Sequence, residues 1–144
     1  MTLPVVDGWM IDFRTAEAIF TSGSNLRIAH CVSLCSEGKL FTCHCEAPLF
    51  KNNGALKQSF IDKDCVVVPD DDVMQRCISI AGLPLAKNRL GGNQSAVFIT
   101  AIAAANKLGV ISDHRSPIFT TVYDLCDHFG IPIFSANEYF SELN

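Results

Sequence analysis

Residues 94–113 read QSAVFITAIAAANKLGVISD, and the fold is decided by how this stretch is parsed. Apolar side chains at 97, 98, 101, 102, 105 and 108 recur at intervals of three and four, which gives a helix one buried face. The spacing predicts a helix over 94–108, with Gly109 at the C-terminal cap position and a short strand at 110–112. A second helix is expected over 117–129, where apolar residues fall at 118, 119, 122, 125, 126 and 129 before Gly130 stops it. A strand at 131–134 follows, and Ser135 with Glu138 three residues later forms a capping box for a terminal helix through 140. Pro132 marks that strand as a sheet edge, where a missing amide hydrogen is harmless. Strand, helix and strand joined tightly imply a right-handed crossover between parallel strands, the unit of an α/β layered fold.

Working back toward the N-terminus, the same alternation continues. Strands are expected at 3–6, 40–43 and 65–68, and helices at 9–20, 25–34, 55–60 and 71–81. Asp70, Asp71 and Asp72 crowd the start of the 71–81 helix, where the helix dipole favours negative charge, so they are read as a cap rather than a metal site.

The 144 residues are 49% hydrophobic and 18% charged, which fits a single domain over 1–144 and excludes a disordered chain. Eleven basic residues against fifteen acidic ones give a net charge of -4, so no general basic field recruits nucleic acid or an anionic membrane. No apolar run reaches the roughly 20 residues of a membrane span. The first residues lack a basic leader with an apolar stretch, so the expected location is cytoplasmic. Seven cysteines are then expected as reduced, buried thiols. The cluster His30, Cys31, Cys35, Cys43, His44 and Cys45 lacks the paired turns of a structural zinc site.

In a parallel α/β sheet the usual site is the crevice beyond the carboxyl ends of the strands. Asp7, Glu46, Asp70 and Asp113 each follow an expected strand. One carboxylate there is usually a solvated cap. Several converging from separate strands repel one another unless a hard cation such as Mg²⁺ or Mn²⁺ neutralises them.

The order of these segments resembles the PIN-domain family, and within it the small toxin-type ribonucleases of prokaryotic toxin/antitoxin pairs. Val5-Val6-Asp7-Gly8-Trp9-Met10-Ile11-Asp12-Phe13 resembles the family's opening strand, first acid and first helix. Leu40-Phe41-Thr42-Cys43 resembles its second strand, with Glu46 beyond it as the next acid. Leu90-Gly91-Gly92-Asn93-Gln94-Ser95-Ala96, the alanine-rich helix, and Leu108-Gly109-Val110-Ile111-Ser112-Asp113 resemble the family's Leu-Gly-x-Gly-Glu, helix, strand and Ser/Thr-Asp. The resemblance implies a three-layer PIN-like α/β fold with a central, mainly parallel sheet flanked by helices. It also implies metal-assisted phosphodiester hydrolysis of RNA, with Asp7, Glu46 and Asp113 holding one or two Mg²⁺ or Mn²⁺ ions. Ser112, Asn93 and Gln94 would support that shell, and Lys87, Arg89 and Arg115 are the nearest cations for an RNA backbone. Asp12 replaces Asp7 as first acid if the strand runs over 9–11; the small Gly8, suited to a crowded turn, argues for Asp7.

The chain departs from the family pattern at three points. Gln94 stands at the position of the third acid, Asn93 replaces the second glycine, and His114 follows Asp113 where many relatives carry another acid. A weakened PIN-like module that binds nucleic acid or protein is therefore the alternative function. A receiver-type signalling domain fits less well, because Ser135 stands after the late strand where such domains carry lysine. The resemblance further implies an antitoxin protein as partner and a homodimer, for which Phe134, Tyr139 and Phe140 offer an apolar contact if exposed and a cover for the sheet edge if not.

Overall fold

The structure, a computed structural model, describes residues 2–87 and 94–143. Five parallel strands form one sheet: β1 (Gly8–Ile11), β2 (Leu40–Cys43), β3 (Val66–Val67), β4 (Leu108–Ile111) and β5 (Ile133–Phe134), in the order β3-β2-β1-β4-β5. The helices are α1 (Phe13–Thr21), α2 (Asn25–Ser36), α3 (Ala47–Lys51), α4 (Gly54–Leu56), α5 (Asp71–Ala81), α6 (Pro84–Lys87), α7 (Gln94–Asn106), α8 (Val122–Phe129) and α9 (Ala136–Ser141), with a π-helical turn at Lys57–Ile61.

Side-chain alternation along the central strands builds two cores. Met10 and Val110 pack with residues of α5 to α8 on one face, while Trp9, Ile11 and Ile111 pack with α1, α2, α3, α9 and the π-helical turn on the other. Each central strand is buried along its whole length, as expected where helices cover both faces of a parallel sheet. The architecture is thus α/β in three layers, consistent with a PIN-like fold. Among the described residues no helix is long and apolar enough to cross a membrane.

Several sequence expectations hold closely. The strand at 40–43 and the helix at 71–81 have the expected bounds, and Asp70 caps that helix by accepting from the Val73 N–H at 2.9 Å. Ser135 and Glu138 make both bonds of the capping box. Pro132 precedes the edge strand β5.

The first strand is corrected from 3–6 to 8–11. Val5 is fully exposed, whereas Gly8, Trp9, Met10 and Ile11 pair with Leu108, Gly109, Val110 and Ile111 in the middle of the sheet. Both stretches are apolar, and pairing on two sides selects the second. The first helix accordingly begins at Phe13, not at residue 9. Gly109 is corrected from helix cap to strand residue. The turn out of α7 is made by Lys107 in the left-handed region at φ 54°, so β4 starts at Leu108. Residues 113–121 form no helix, and α8 starts at Val122 behind the Thr121–Asp124 capping box. The six-residue cysteine and histidine cluster is split between the two sides of the sheet, Cys31 and Cys35 in one core and Cys43 in the other. Phe134, Tyr139 and Phe140 are buried, the first two edge-on to Trp9, so they cover the sheet and offer no exposed apolar contact.

Gly109 explains how Trp9 fits between these strands. A Cβ at 109 would lie 2.4 Å from the Trp9 ring, well inside contact distance. Gly109→Ala is expected to destabilise the fold by about 1–3 kcal/mol through overpacking. The checks are the urea unfolding midpoint and the emission of Trp9, the chain's one tryptophan; an unchanged midpoint and spectrum would contradict this packing.

Candidate functional site

The strand order reverses direction between β1 and β4: β2 and β3 extend the sheet to one side, β5 to the other. A crevice opens at the carboxyl ends of strands flanking such a switch point, because the crossovers on either side diverge onto opposite faces. Asp12 follows β1 and Ser112 follows β4, so both stand at that crevice. A pocket of about 380 Å³ lies there, lined among others by Asp12, Arg14, Glu46, Ser95, His114 and Phe119.

Asp12 is buried, and its two oxygens have separate partners. Oδ1 accepts the Thr15 N–H at 2.8 Å, capping α1, and Oδ2 accepts the Ser112 hydroxyl, tying the end of β1 to the end of β4. The Ser112 oxygen in turn accepts the His114 N–H at 3.1 Å. Glu46 enters from the turn after β2, and its Oε1 accepts the Phe13 N–H at 3.1 Å. That bond fastens the β2 turn to the first residue of α1 and brings the two carboxyl groups together. Among the described residues no ion pair reaches either one. Burial, and next the charge of Asp12, push the Glu46 carboxyl up to about 7; the Phe13 N–H and, more weakly, Arg14 act in the opposite direction.

The expected acids are not all gathered. Asp7 precedes β1, with its N–H on the Lys107 carbonyl, at the opposite end of the strand from Asp12. Four strand residues lie between the two, which sets them five steps or roughly 16 Å of extended chain apart. Asp12 therefore takes the place expected of Asp7, a consequence of the shifted first strand. Glu46 is in the pocket. Asp113 points its carboxylate away toward α9, accepting the Ala136 N–H at 2.8 Å, while its own N–H donates to the Thr15 hydroxyl at 2.9 Å. His114, one residue on, lines the pocket instead. The trio 7, 46 and 113 thus does not meet; Asp12 and Glu46 do.

The supporting residues divide similarly. Ser112 is central. Gln94 opens α7 on an exposed position beside Ser95, which lines the pocket. Asn93 and Arg89 lie outside the described residues, and Lys87 is the last residue of α6. Arg115 is engaged elsewhere: its guanidinium stacks on Tyr123 at 3.8 Å, pairs with Glu138 at 3.4 Å, and donates to the Ser112 carbonyl at 3.4 Å. Arg14 is the pocket cation that sequence reasoning missed. It lies two residues beyond Asp12, so a correctly placed first strand would have revealed it.

Among the described residues no three His, Cys, Asp or Glu side chains converge as a ready metal cage. Two carboxylates do, and a hard cation taking one or two carboxylates, with water and phosphate oxygens completing its shell, suits that set. Each bonded carboxylate oxygen retains a further lone pair for such a contact.

The Glu46 shift has a sign that can be checked in metal-free buffer. Its folded value, about 7, lies above the ordinary 4.5, so the folded chain holds a proton the unfolded chain has lost between those values. Stability is therefore expected to fall as pH rises through this window, by up to roughly 3 kcal/mol. Glu46→Gln, which keeps an acceptor for the Phe13 N–H, is expected to remove that slope and to unfold at higher urea than the parent at pH 8; an identical slope in both proteins would assign the effect to other groups. Comparison with protein-family models and with curated proteins gives no match, so the functional reading rests on the Asp12–Glu46 pocket itself.

Proposed function

We propose that this protein is a divalent-metal-dependent endoribonuclease of the PIN type, in which Asp12 and Glu46 hold Mg²⁺ or Mn²⁺. The observation that supports this most is the pairing of a buried carboxyl group, Asp12, with a partly buried one, Glu46, at the sheet switch point, with no ion pair among the described residues to offset their repulsion. A divalent cation bound there supplies Lewis-acid chemistry toward water and the scissile phosphate.

The chain's own residues have separable roles in this reading. Ser112 and the Thr15 N–H fix the Asp12 carboxylate so that its orientation does not drift on binding. Arg14, at the pocket wall, supplies the positive charge for a phosphodiester in a chain of net charge -4. His114 lines the same pocket and is a candidate to transfer a proton to the leaving oxygen. Phe119, half exposed at the rim, offers a face on which an unstacked base can rest.

A second reading, a binding module with little or no hydrolysis, is favoured by two observations: among the described residues no third acid joins Asp12 and Glu46, and neutral Gln94 stands at the opening of α7. Titration of Mn²⁺ into the purified protein, alongside cleavage of a mixed single-stranded RNA, separates the two. For the nuclease we expect Asp12→Asn to weaken Mn²⁺ binding about tenfold or more and to abolish cleavage, and Asp7→Asn to change neither. Equal Mn²⁺ affinity in the parent and Asp12→Asn would sink the metal site. RNA binding without cleavage by a folded, Mn²⁺-loaded protein would select the module.

A further inference from the structure

Six of the seven cysteines are buried, and Cys45 is exposed. Its sulfur lies 2.7 Å from that of Cys43, the last residue of β2. Two residues apart on an extended strand, the side chains would share a face but stand well separated. Here the backbone turns immediately after Cys43, with the Glu46 N–H donating to the Cys43 carbonyl at 3.1 Å, and the turn brings the second thiol back over the first. The Ser95 hydroxyl, 3.5 Å from the Cys45 sulfur, holds that side chain from the α7 side. Closing to the bonded separation of about 2.05 Å needs a movement of only roughly 0.7 Å.

We propose that Cys43 and Cys45 are an oxidisable dithiol that closes to an intramolecular disulfide when the protein meets hydrogen peroxide. Exposure assigns the roles. Cys45 is the attacking sulfur: as thiolate it takes one peroxide oxygen, the O–O bond breaks, and the hydroxide released combines with the proton that Cys45 gave up to form water. Cys43, in contact and screened from solvent, resolves the resulting sulfenic acid. Its sulfur bonds to that of Cys45, the S–O bond breaks, and the hydroxyl leaves with the Cys43 proton as a second water. Two thiols and one peroxide thus give one disulfide and two waters. The other close thiols, Cys35 and Cys65, are buried in the opposite core and lack an exposed member to begin the reaction. This assignment does not depend on the function proposed above, although the dithiol adjoins Glu46 in sequence and Ser95 of the pocket in space.

Peptide mapping of the intact protein tests it directly. Trypsin cutting after Lys39 and Lys51 yields the peptide 40–51, which contains both sulfurs. After brief treatment with one equivalent of hydrogen peroxide under native conditions, that peptide is expected to lose two hydrogens in mass, to resist alkylation, and to regain both on reduction with dithiothreitol. Without oxidant, iodoacetamide is expected to label Cys45 about tenfold faster than any buried cysteine. In Cys43→Ala the reaction stops at a sulfenic acid on Cys45 that dimedone traps, and in Cys45→Ser residue 43 is not oxidised. A disulfide joining any other pair, or stable sulfinic acid on Cys45 of the parent protein, would overturn the proposal. So would an unoxidised 40–51 peptide. The parent measurement decides the matter even if the buried Cys43→Ala replacement prevents folding.

Discussion

The Asp12 carboxylate joins two parts of the molecule that are far apart in sequence, the β1–α1 junction and the end of β4. One oxygen receives the first turn of α1, and the other receives the Ser112 hydroxyl at the end of β4, a hundred residues away. A buried carboxylate without donors is strongly disfavoured, so these two bonds fix the ends of the neighbouring central strands against each other. Ser112 passes the constraint on to the backbone of His114, and Phe13, next to Asp12, donates its N–H to Glu46. Ser112, the backbone of His114 and the Glu46 carboxyl are therefore all positioned through this carboxylate or the residue beside it.

Both donors to Asp12 are neutral, which has an electrostatic consequence. Hydrogen bonds lower the cost of the charge without cancelling it, so burial and, next, the field of Asp12 push the Glu46 carboxyl up to about 7. A site built in this way has one carboxylate fixed by two donors and a second group whose charge responds to whatever enters the pocket. Arg14 stands close enough to act on Glu46 but is exposed, and its contribution is the smallest of those named.

Much of the layered fold was legible in the sequence because helix periodicity, capping residues and glycines act locally. The α5 bounds, the Asp70 cap and the Ser135–Glu138 box needed no tertiary information. The site was less legible, for two reasons visible at particular residues. Near the N-terminus, two short apolar stretches adjoin, and only pairing with Leu108 to Ile111 decides that Gly8 to Ile11 is the strand; an error of one such stretch moves the expected acid to the wrong end of the sheet. After β4, the alternation of side chains sends Ser112 toward Asp12 and Asp113 toward α9, a parity set by register across strands that local composition does not carry.

The sheet order also bears on how the chain leaves the ribosome. Of the five strands, β1 is translated first and lies in the middle of the sheet, and one of its neighbours, β4, is encoded about a hundred positions later. At bacterial or eukaryotic elongation rates that delay is roughly 5 to 20 seconds. Throughout it, the edge of β1 that will pair with β4 has no mate, so the centre of this sheet closes only after the C-terminal half has been made.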